Sequence, residues 1–209
     1  GKTVIAALAA VQASENGFQA ALMVPTEILA EQHYLTLKTW LEPLNITIDW
    51  LSGSIKGNTR SQLLEDLSSG KLQIIVGTHA LFQDQVIFHQ LGLAIIDEQH
   101  RFGVHQRMAL RDKGEKQGFM PHQLIMTATP IPRTLTMSLY GDMDCSIIDE
   151  LPAGRTPITT RIIPGSRRTE IIDRLKQACE SGAQAYWVCT LIESSETLSA
   201  EAAEDTAQQ

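Results

Sequence analysis

Two adjacent carboxylates, Asp97 and Glu98, stand directly behind the apolar run Leu93-Ala94-Ile95-Ile96 and ahead of Gln99-His100. A short stretch of large aliphatics ending in two acids is how a buried parallel strand delivers a metal-holding Asp and a water-activating Glu to its carboxyl edge, beside a nucleotide's phosphates. The chain opens on Gly1-Lys2-Thr3 and then an apolar helix-like stretch. That is the end of a phosphate-binding loop of the form G-x-x-x-x-G-K-[ST], in which backbone N–H groups and the lysine cradle phosphates while the hydroxyl binds magnesium. Only the last three positions of such a loop are present. Taken singly, each signal has an ordinary reading: Gly-Lys-Thr is a common tripeptide, and an acid pair behind a strand can cap a helix. Their presence in one chain points to ATP-driven chemistry.

Parallel strands are needed to bring these residues to one edge. Four apolar runs, each followed by polar or turn residues, supply them. Ala21-Leu22-Met23-Val24 precedes Pro25-Thr26-Glu27, and Ile74-Ile75-Val76 precedes Gly77-Thr78-His79. Leu93 to Ile96 precedes the acid pair, and Leu124-Ile125-Met126 precedes Thr127-Ala128-Thr129-Pro130. The runs are continuous rather than alternating, as in strands covered on both faces, and helical segments separate them. The expected fold is therefore α/β, a mostly parallel sheet flanked by helices, with ligands outside the carboxyl ends of the strands. Helical spacing predicts core-facing stripes at Val4, Ile5, Leu8 and Val11, stopped at Asn16-Gly17, and at Ile28, Leu35 and Leu41 behind Thr26. It also predicts Leu63, Leu64 and Leu67, begun near Thr59 and stopped at Gly70, and Ile171, Ile172, Leu175, Ala178 and Cys179, stopped at Gly182.

Composition sets the class. With 209 residues, 43% apolar and 20% charged, the chain is long enough for one full core and part of a second. No apolar run approaches the roughly 20 residues needed to span a bilayer and no signal peptide opens the sequence, so a cytoplasmic protein without membrane contact is expected. Cys145, Cys179 and Cys189 lie far apart without paired spacing, which predicts reduced, packed thiols and neither disulfide nor zinc. A net charge of −7 is unfavourable for contact with a polyanion, so its distribution matters. Residues 193–209 carry five acids and no Lys or Arg, while Arg101 to Arg133 carries six Lys or Arg against two acids. A solvated helix face would give the same local excess.

Composition shifts near Leu151, where Leu151-Pro152-Ala153-Gly154-Arg155-Thr156-Pro157 is dense in turn formers. Residues 1–150 are expected to form one lobe, 151–157 a linker, and 158–209 the start of a second α/β unit. In that second unit the pattern predicts a strand from Ile158 to Ile163, the helix above, and a strand from Tyr186 to Ile192. The chain is expected to be cut at both ends.

These segments resemble the superfamily 2 helicases with two RecA-like lobes, and within them the RecG branch of bacterial ATP-dependent DNA helicases that remodel stalled forks and branched junctions. The resemblance rests on Gly1-Lys2-Thr3, Pro25-Thr26-Glu27-Ile28-Leu29-Ala30-Glu31-Gln32-His33, Gly77-Thr78-His79-Ala80-Leu81 and Asp97-Glu98-Gln99-His100-Arg101-Phe102-Gly103-Val104. It continues through Thr127 to Thr134, Asp149 to Pro157 and Tyr186-Trp187-Val188-Cys189. The Asp-Glu-x-His and Thr-Ala-Thr-Pro-Ile-Pro-Arg-Thr motifs are shared with the transcription-repair coupling factor, and a non-catalytic module that only holds nucleotide, DNA or a partner is a further alternative.

The resemblance implies a RecA-like P-loop NTPase lobe lacking its first strand, followed by an incomplete second lobe. It implies ATP and Mg²⁺ as cofactors, bound through Gly1, Lys2, Thr3, Asp97 and Glu98. Lys2 would neutralise β/γ-phosphate charge, Thr3 and Asp97 would hold the magnesium, and Glu98 would orient and deprotonate the attacking water. His100, Thr127, Ala128 and Thr129 would couple the phosphate site to the DNA surface, and Thr26, Gly53, Thr78 and His79 would touch the DNA backbone without base readout. His100 and His105 lack the spacing of a helical zinc pair, so no metal but magnesium is assigned. The partner implied is DNA, as forks, junctions or duplex, for a motor that is monomeric in its parent. With the loop incomplete and no arginine finger, the chain alone is expected to turn over ATP very slowly. A missing central strand is expected to leave apolar surface exposed in the middle of the sheet.

Overall fold

In the computed structural model, the structure describes residues 1–98, 102, 110, 113–114, 118, 120–129, 144–150 and 154–189. The chain divides into two compact units, Gly1–Pro152 and Ala153–Gln209. The first runs α1 (Lys2–Glu15), β1 (Gln19–Met23), α2 (Glu27–Leu41), β2 (Ile48–Leu51), α3 (Gly57–Ser68), β3 (Ile74–Gly77), β4 (Leu91–Asp97) and β5 (His122–Met126), with short 3₁₀ turns at Glu42–Leu44 and His79–Phe82. The strands lie in the order β2-β3-β1-β4-β5, and every pairing is parallel.

Burial explains the order. All residues of β1 and β3 are buried, as is most of β4, so these continuous apolar strands take the interior of the sheet. The outer strands are wetter: Ile48, Asp49 and Trp50 of β2 are half-buried, and His122 and Gln123 of β5 are exposed. Alternate residues feed two cores. Ala21 and Met23 of β1 join Leu63 and Leu67 of α3 on one face, while Ala20 and Leu22 join Ala6, Ala7 and Ala10 of α1 and Ala30, Leu37 and Leu41 of α2 on the other.

The faces of two helices differ from expectation. Val4, Ile5 and Leu8 of α1 are 46%, 51% and 61% exposed, and the helix packs through alanines instead. Small side chains let its backbone approach β1 and β4 closely, which turns the larger stripe outward. In α2, Ile28 and Leu35 are exposed, while Ala30, Leu37 and the predicted Leu41 are buried. The helix stops agree with the sequence: Gly17 and Gly70 follow α1 and α3 with φ of 81° and 79°. No gap interrupts the middle of the sheet, because β1 pairs with β3 on one side and β4 on the other. Among the described residues of this unit, the exposed large apolar side chains lie on α1, on α2 and in the connecting segments rather than within the strands.

One buried polar side chain ties the amino edge together. Gln19 opens β1 and is 3% exposed. Its Nε2 donates to the carbonyls of Leu67 at 2.8 Å and Leu72 at 2.6 Å, and its Oε1 accepts from the N–H groups of His89 at 2.7 Å and Gln90 at 3.1 Å. The end of α3 and the approaches to β3 and β4 thus converge on one amide.

The second unit contains a 3₁₀ turn at Gly165–Arg167 and α4 (Arg168–Glu180). Ile171, Ile172, Leu175 and Ala178 share its less exposed face, as the periodicity predicts, and Gly182 ends it with φ 92°. The two predicted strands are absent among the described residues: 155–164 and 183–189 take no strand conformation, and Ile162, Tyr186 and Val188 are 100%, 91% and 89% exposed. A strand is stabilised by its ladder, and the described residues of this unit offer none. Residues 190–192 lie outside the described residues. Cys145 and Cys179 are exposed and Cys189 half-buried, which corrects the expectation of packed thiols.

Replacing Gln19 by Met should strand four backbone groups and lower the unfolding free energy by about 3 kcal/mol. Urea denaturation checks this, and a loss below about 1 kcal/mol would show that water satisfies the same groups.

Candidate functional site

The parallel register levels the strand ends on one side. Met23 pairs with Gly77 and Ile96, Leu51 with Gly77, and Asp97 with Met126. The segments after β1 to β5 therefore emerge along a single edge, in two halves set by the strand order.

The first half is built on α1, β4 and β5. Lys2 opens α1, and its Nζ lies 3.8 Å from Oε1 of Glu98, which follows β4. Asp97, the last residue of β4, directs its side chain into the protein and is 13% exposed. Its Oδ1 accepts the N–H of Glu98 at 3.0 Å, and its Oδ2 lies 3.1 Å from Nε2 of His33 on α2. Burial opposes ionisation of this carboxyl. The hydrogen bond and attraction of His33, the charge of Lys2 and the Glu98 N–H outweigh it and hold Asp97 below its ordinary range. An ionised carboxylate only accepts, so Nε2 of His33 carries the proton and donates.

Glu98 has a φ of 52°, the left-handed region that a residue with a Cβ enters only at a cost. That turn aims its carboxylate toward Lys2. Thr3 lines a cleft of about 300 Å³ with Gly1, Val4, Gln32, His33, Thr36 and Trp40. Next to β4, Thr127 Oγ1 lies 2.9 Å from Thr129 Oγ1 and accepts the Thr129 N–H at 3.2 Å, with Ala128 exposed between them. His100 lies outside the described residues, as do most of the basic stretch from Arg101 to Arg133 and the acidic tail.

The second half carries the other predicted residues. Thr26 caps α2, its Oγ1 accepting the Leu29 N–H at 3.3 Å, and it is exposed. Gly53, after β2, is exposed and donates its N–H to Oε1 of Glu27 at 3.0 Å, which joins the β1 and β2 loops. Thr78 and His79 follow β3 and differ. Thr78 is 2% exposed and its Oγ1 has no partner among the described residues, whereas His79 is exposed. The Thr78 hydroxyl is thus closed to an external ligand, against the expectation that it contacts DNA. Gly77 leaves no room for a Cβ, which would lie 2.7 Å from the Leu51 carbonyl.

Among the described residues no group of three or more His, Cys, Asp or Glu could hold a metal by itself. The donors available are the Thr3 hydroxyl and the Asp97 carboxylate, both hard oxygens. Such a set suits Mg²⁺, which keeps waters and is bound through one or two protein groups plus substrate phosphates. His33 escapes sequence reasoning, since it lies 64 residues from Asp97 and only the fold joins them.

Residues 1–138 match the model of the DEAD/DEAH box helicase family. The chain is 63% identical over 207 residues to the ATP-dependent DNA helicase RecG of Escherichia coli strain K12, covering 99% of this chain and 30% of that one. It is 62% identical over 205 residues to RecG of Haemophilus influenzae, covering 98% and 30%. It therefore spans about 30% of the length of the curated relatives it matches. A solved structure of RecG bound to a three-way DNA junction superposes with a TM-score of 0.71 at 40% identity, over 88% of this chain and 24% of that one. The helicase MrfA shares the fold, with a TM-score of 0.63 at 19% identity over 85% of this chain and 30% of that one.

Two outcomes are expected from this geometry. Glu98→Gly should raise the thermal unfolding midpoint, because the left-handed backbone costs a residue with a side chain about 1 kcal/mol and the exposed contact with Lys2 returns little; an unchanged or lower midpoint would show the turn to be unstrained. Because Asp97 is ionised more readily folded than unfolded, its charge contributes stability that is present above about pH 4 and lost as pH falls through the lowered value. The stability difference between the parent and Asp97→Asn, followed by denaturation from pH 6 to pH 3, should shrink toward the acid end.

Proposed function

The chain belongs to the DEAD/DEAH box helicase family, and we propose that it supplies the ATP-handling face of a RecG-type DNA motor that couples hydrolysis to the remodelling of forks and junctions. The observation that carries the reading is the meeting of Lys2 with Glu98, 96 positions away in sequence, beside the ionised Asp97. The similarity to RecG over 99% of the chain supports the substrate class. In this reading residues 1–150 are the ATP-binding RecA-like lobe, 151–157 a linker, and 158–209 the start of the second lobe, in a cytoplasmic protein.

Each residue has a task fixed by its chemistry. Lys2 and Glu98 face each other across 3.8 Å, both partly solvated, so the contact is weak and easily exchanged. Incoming phosphates take the ammonium of Lys2 and free Glu98 to accept a proton from the attacking water. Thr3 and Asp97 would hold Mg²⁺, which when bound would supply positive charge to neutralise the phosphoryl group being transferred. Thr127, Ala128 and Thr129, beside Asp97 in register, sense that change together with His100. Thr26, Gly53 and His79 are exposed on the other half of the edge and contact the DNA backbone, which carries no sequence information.

In the full-length gene product, Glu98→Gln should retain ATP binding and lose at least about a hundredfold in turnover, the scale of a general base. Asp97→Ala should weaken Mg²⁺-dependent nucleotide binding as well. Steady-state hydrolysis by Glu98→Gln within about threefold of the parent would refute the role of Glu98.

A further inference from the structure

We propose that His33 is a positioning residue for Asp97, fixing its carboxylate from α2 so that the remaining lone pairs face the magnesium site. This rests on the reading of Asp97 given above and extends it to a residue on a different helix. A carboxylate offers about four acceptor positions on two oxygens. The Glu98 N–H occupies one on Oδ1 and the His33 Nε2 one on Oδ2. With both oxygens held, the carboxylate cannot rotate about its terminal bond without breaking a hydrogen bond, so it is set before an ion arrives. The pair is shielded, His33 being 12% and Asp97 13% exposed, so water is a poor substitute for the imidazole. Groups that orient a ligating carboxylate in this way are worth about tenfold to a hundredfold in metal affinity.

The same bond gives α2 a second attachment to the site. His33 lies seven residues, or about two turns, beyond Thr26, whose loop stands at the end of β1. It also lines the cleft shared with Gly1 and Thr3, so one imidazole touches the carboxylate and borders the start of α1.

The test uses substitutions that separate geometry from bulk. The amide nitrogen of Gln reaches about as far along the side chain as Nε2 of His, whereas that of Asn corresponds to Nδ1 and falls short. In the full-length gene product, fluorescent ADP binding is titrated with Mg²⁺ for the parent, His33→Ala, His33→Asn, His33→Gln and Asp97→Ala, with thermal melts to confirm folding. The half-saturating Mg²⁺ should rise about tenfold or more in His33→Ala and His33→Asn, and His33→Gln should return it close to the parent. An unchanged midpoint in folded His33→Ala, or His33→Gln no better than His33→Asn, would overturn the proposal. If His33→Ala fails to fold, the comparison of Gln with Asn decides alone. Should Asp97→Ala bind with the parent's Mg²⁺ dependence, the assignment of Asp97 itself falls; should Asp97→Ala be impaired and His33→Ala not, only the role of His33 does.

Discussion

The interior strands of a parallel sheet covered on both faces meet water only at their two ends, and this constraint governs the molecule. Because α1 and α2 close one face and α3 the other, no side chain in the middle of β1, β3 or β4 reaches solvent. Polar chemistry is confined to where strands stop. Because every pairing is parallel, the stops coincide, and residues from five separate stretches of chain share one edge. The buried pairing of β1 with β4 is central, since it carries Asp97 to the strand-end edge between the threonine loop after β5 and the start of α2.

The strands were legible where burial is complete. The runs at β1, β3 and β4 are uninterrupted because both faces are apolar, and β5 shows the same signal over Leu124-Ile125-Met126. β2 gave none: its Ile48-Asp49-Trp50-Leu51 alternates as an edge strand does, and four residues are too few to separate that from a loop. Helix ends were legible through glycines at positive φ, and so were the faces of α3 and α4, whereas those of α1 and of much of α2 were not. Periodicity marks the larger aliphatics, and α1 buries alanines because close packing against the sheet favours small volume over hydrophobicity. Among the described residues of the second unit the apolar segments form no strand, since a strand's state depends on a neighbour that its own sequence does not specify.

For the candidate site, the Gly1-Lys2-Thr3 tripeptide and the acid pair behind β4 single out Lys2, Thr3, Asp97 and Glu98 from sequence, and the fold brings Lys2 and Glu98 to 3.8 Å. What sequence could not supply is which groups touch. The left-handed backbone of Glu98 sets the direction of its carboxylate, and no local signal announces it, because the residues that ordinarily adopt this conformation are glycine and asparagine. Thr78 is the converse: a hydroxyl at a strand end has the right type and position for a surface contact, yet close packing around Gly77 and Leu81 accompanies its burial. Position along an edge fixes which loop a residue belongs to and leaves its accessibility open.

At the opposite edge, the amide of Gln19 is matched to two carbonyls and two N–H groups at once, and this makes the position close to irreplaceable by ordinary substitution. Glutamate would bring lone pairs for His89 and Gln90 but repel the carbonyls of Leu67 and Leu72; lysine would reverse the mismatch; asparagine has the same groups on a stem one methylene too short. The position at the edge remote from the candidate chemistry is thus more tightly constrained by its contacts than exposed residues of the other edge such as Thr26 and Gly53. An invariant glutamine there would reflect construction and would carry no information about the ligand.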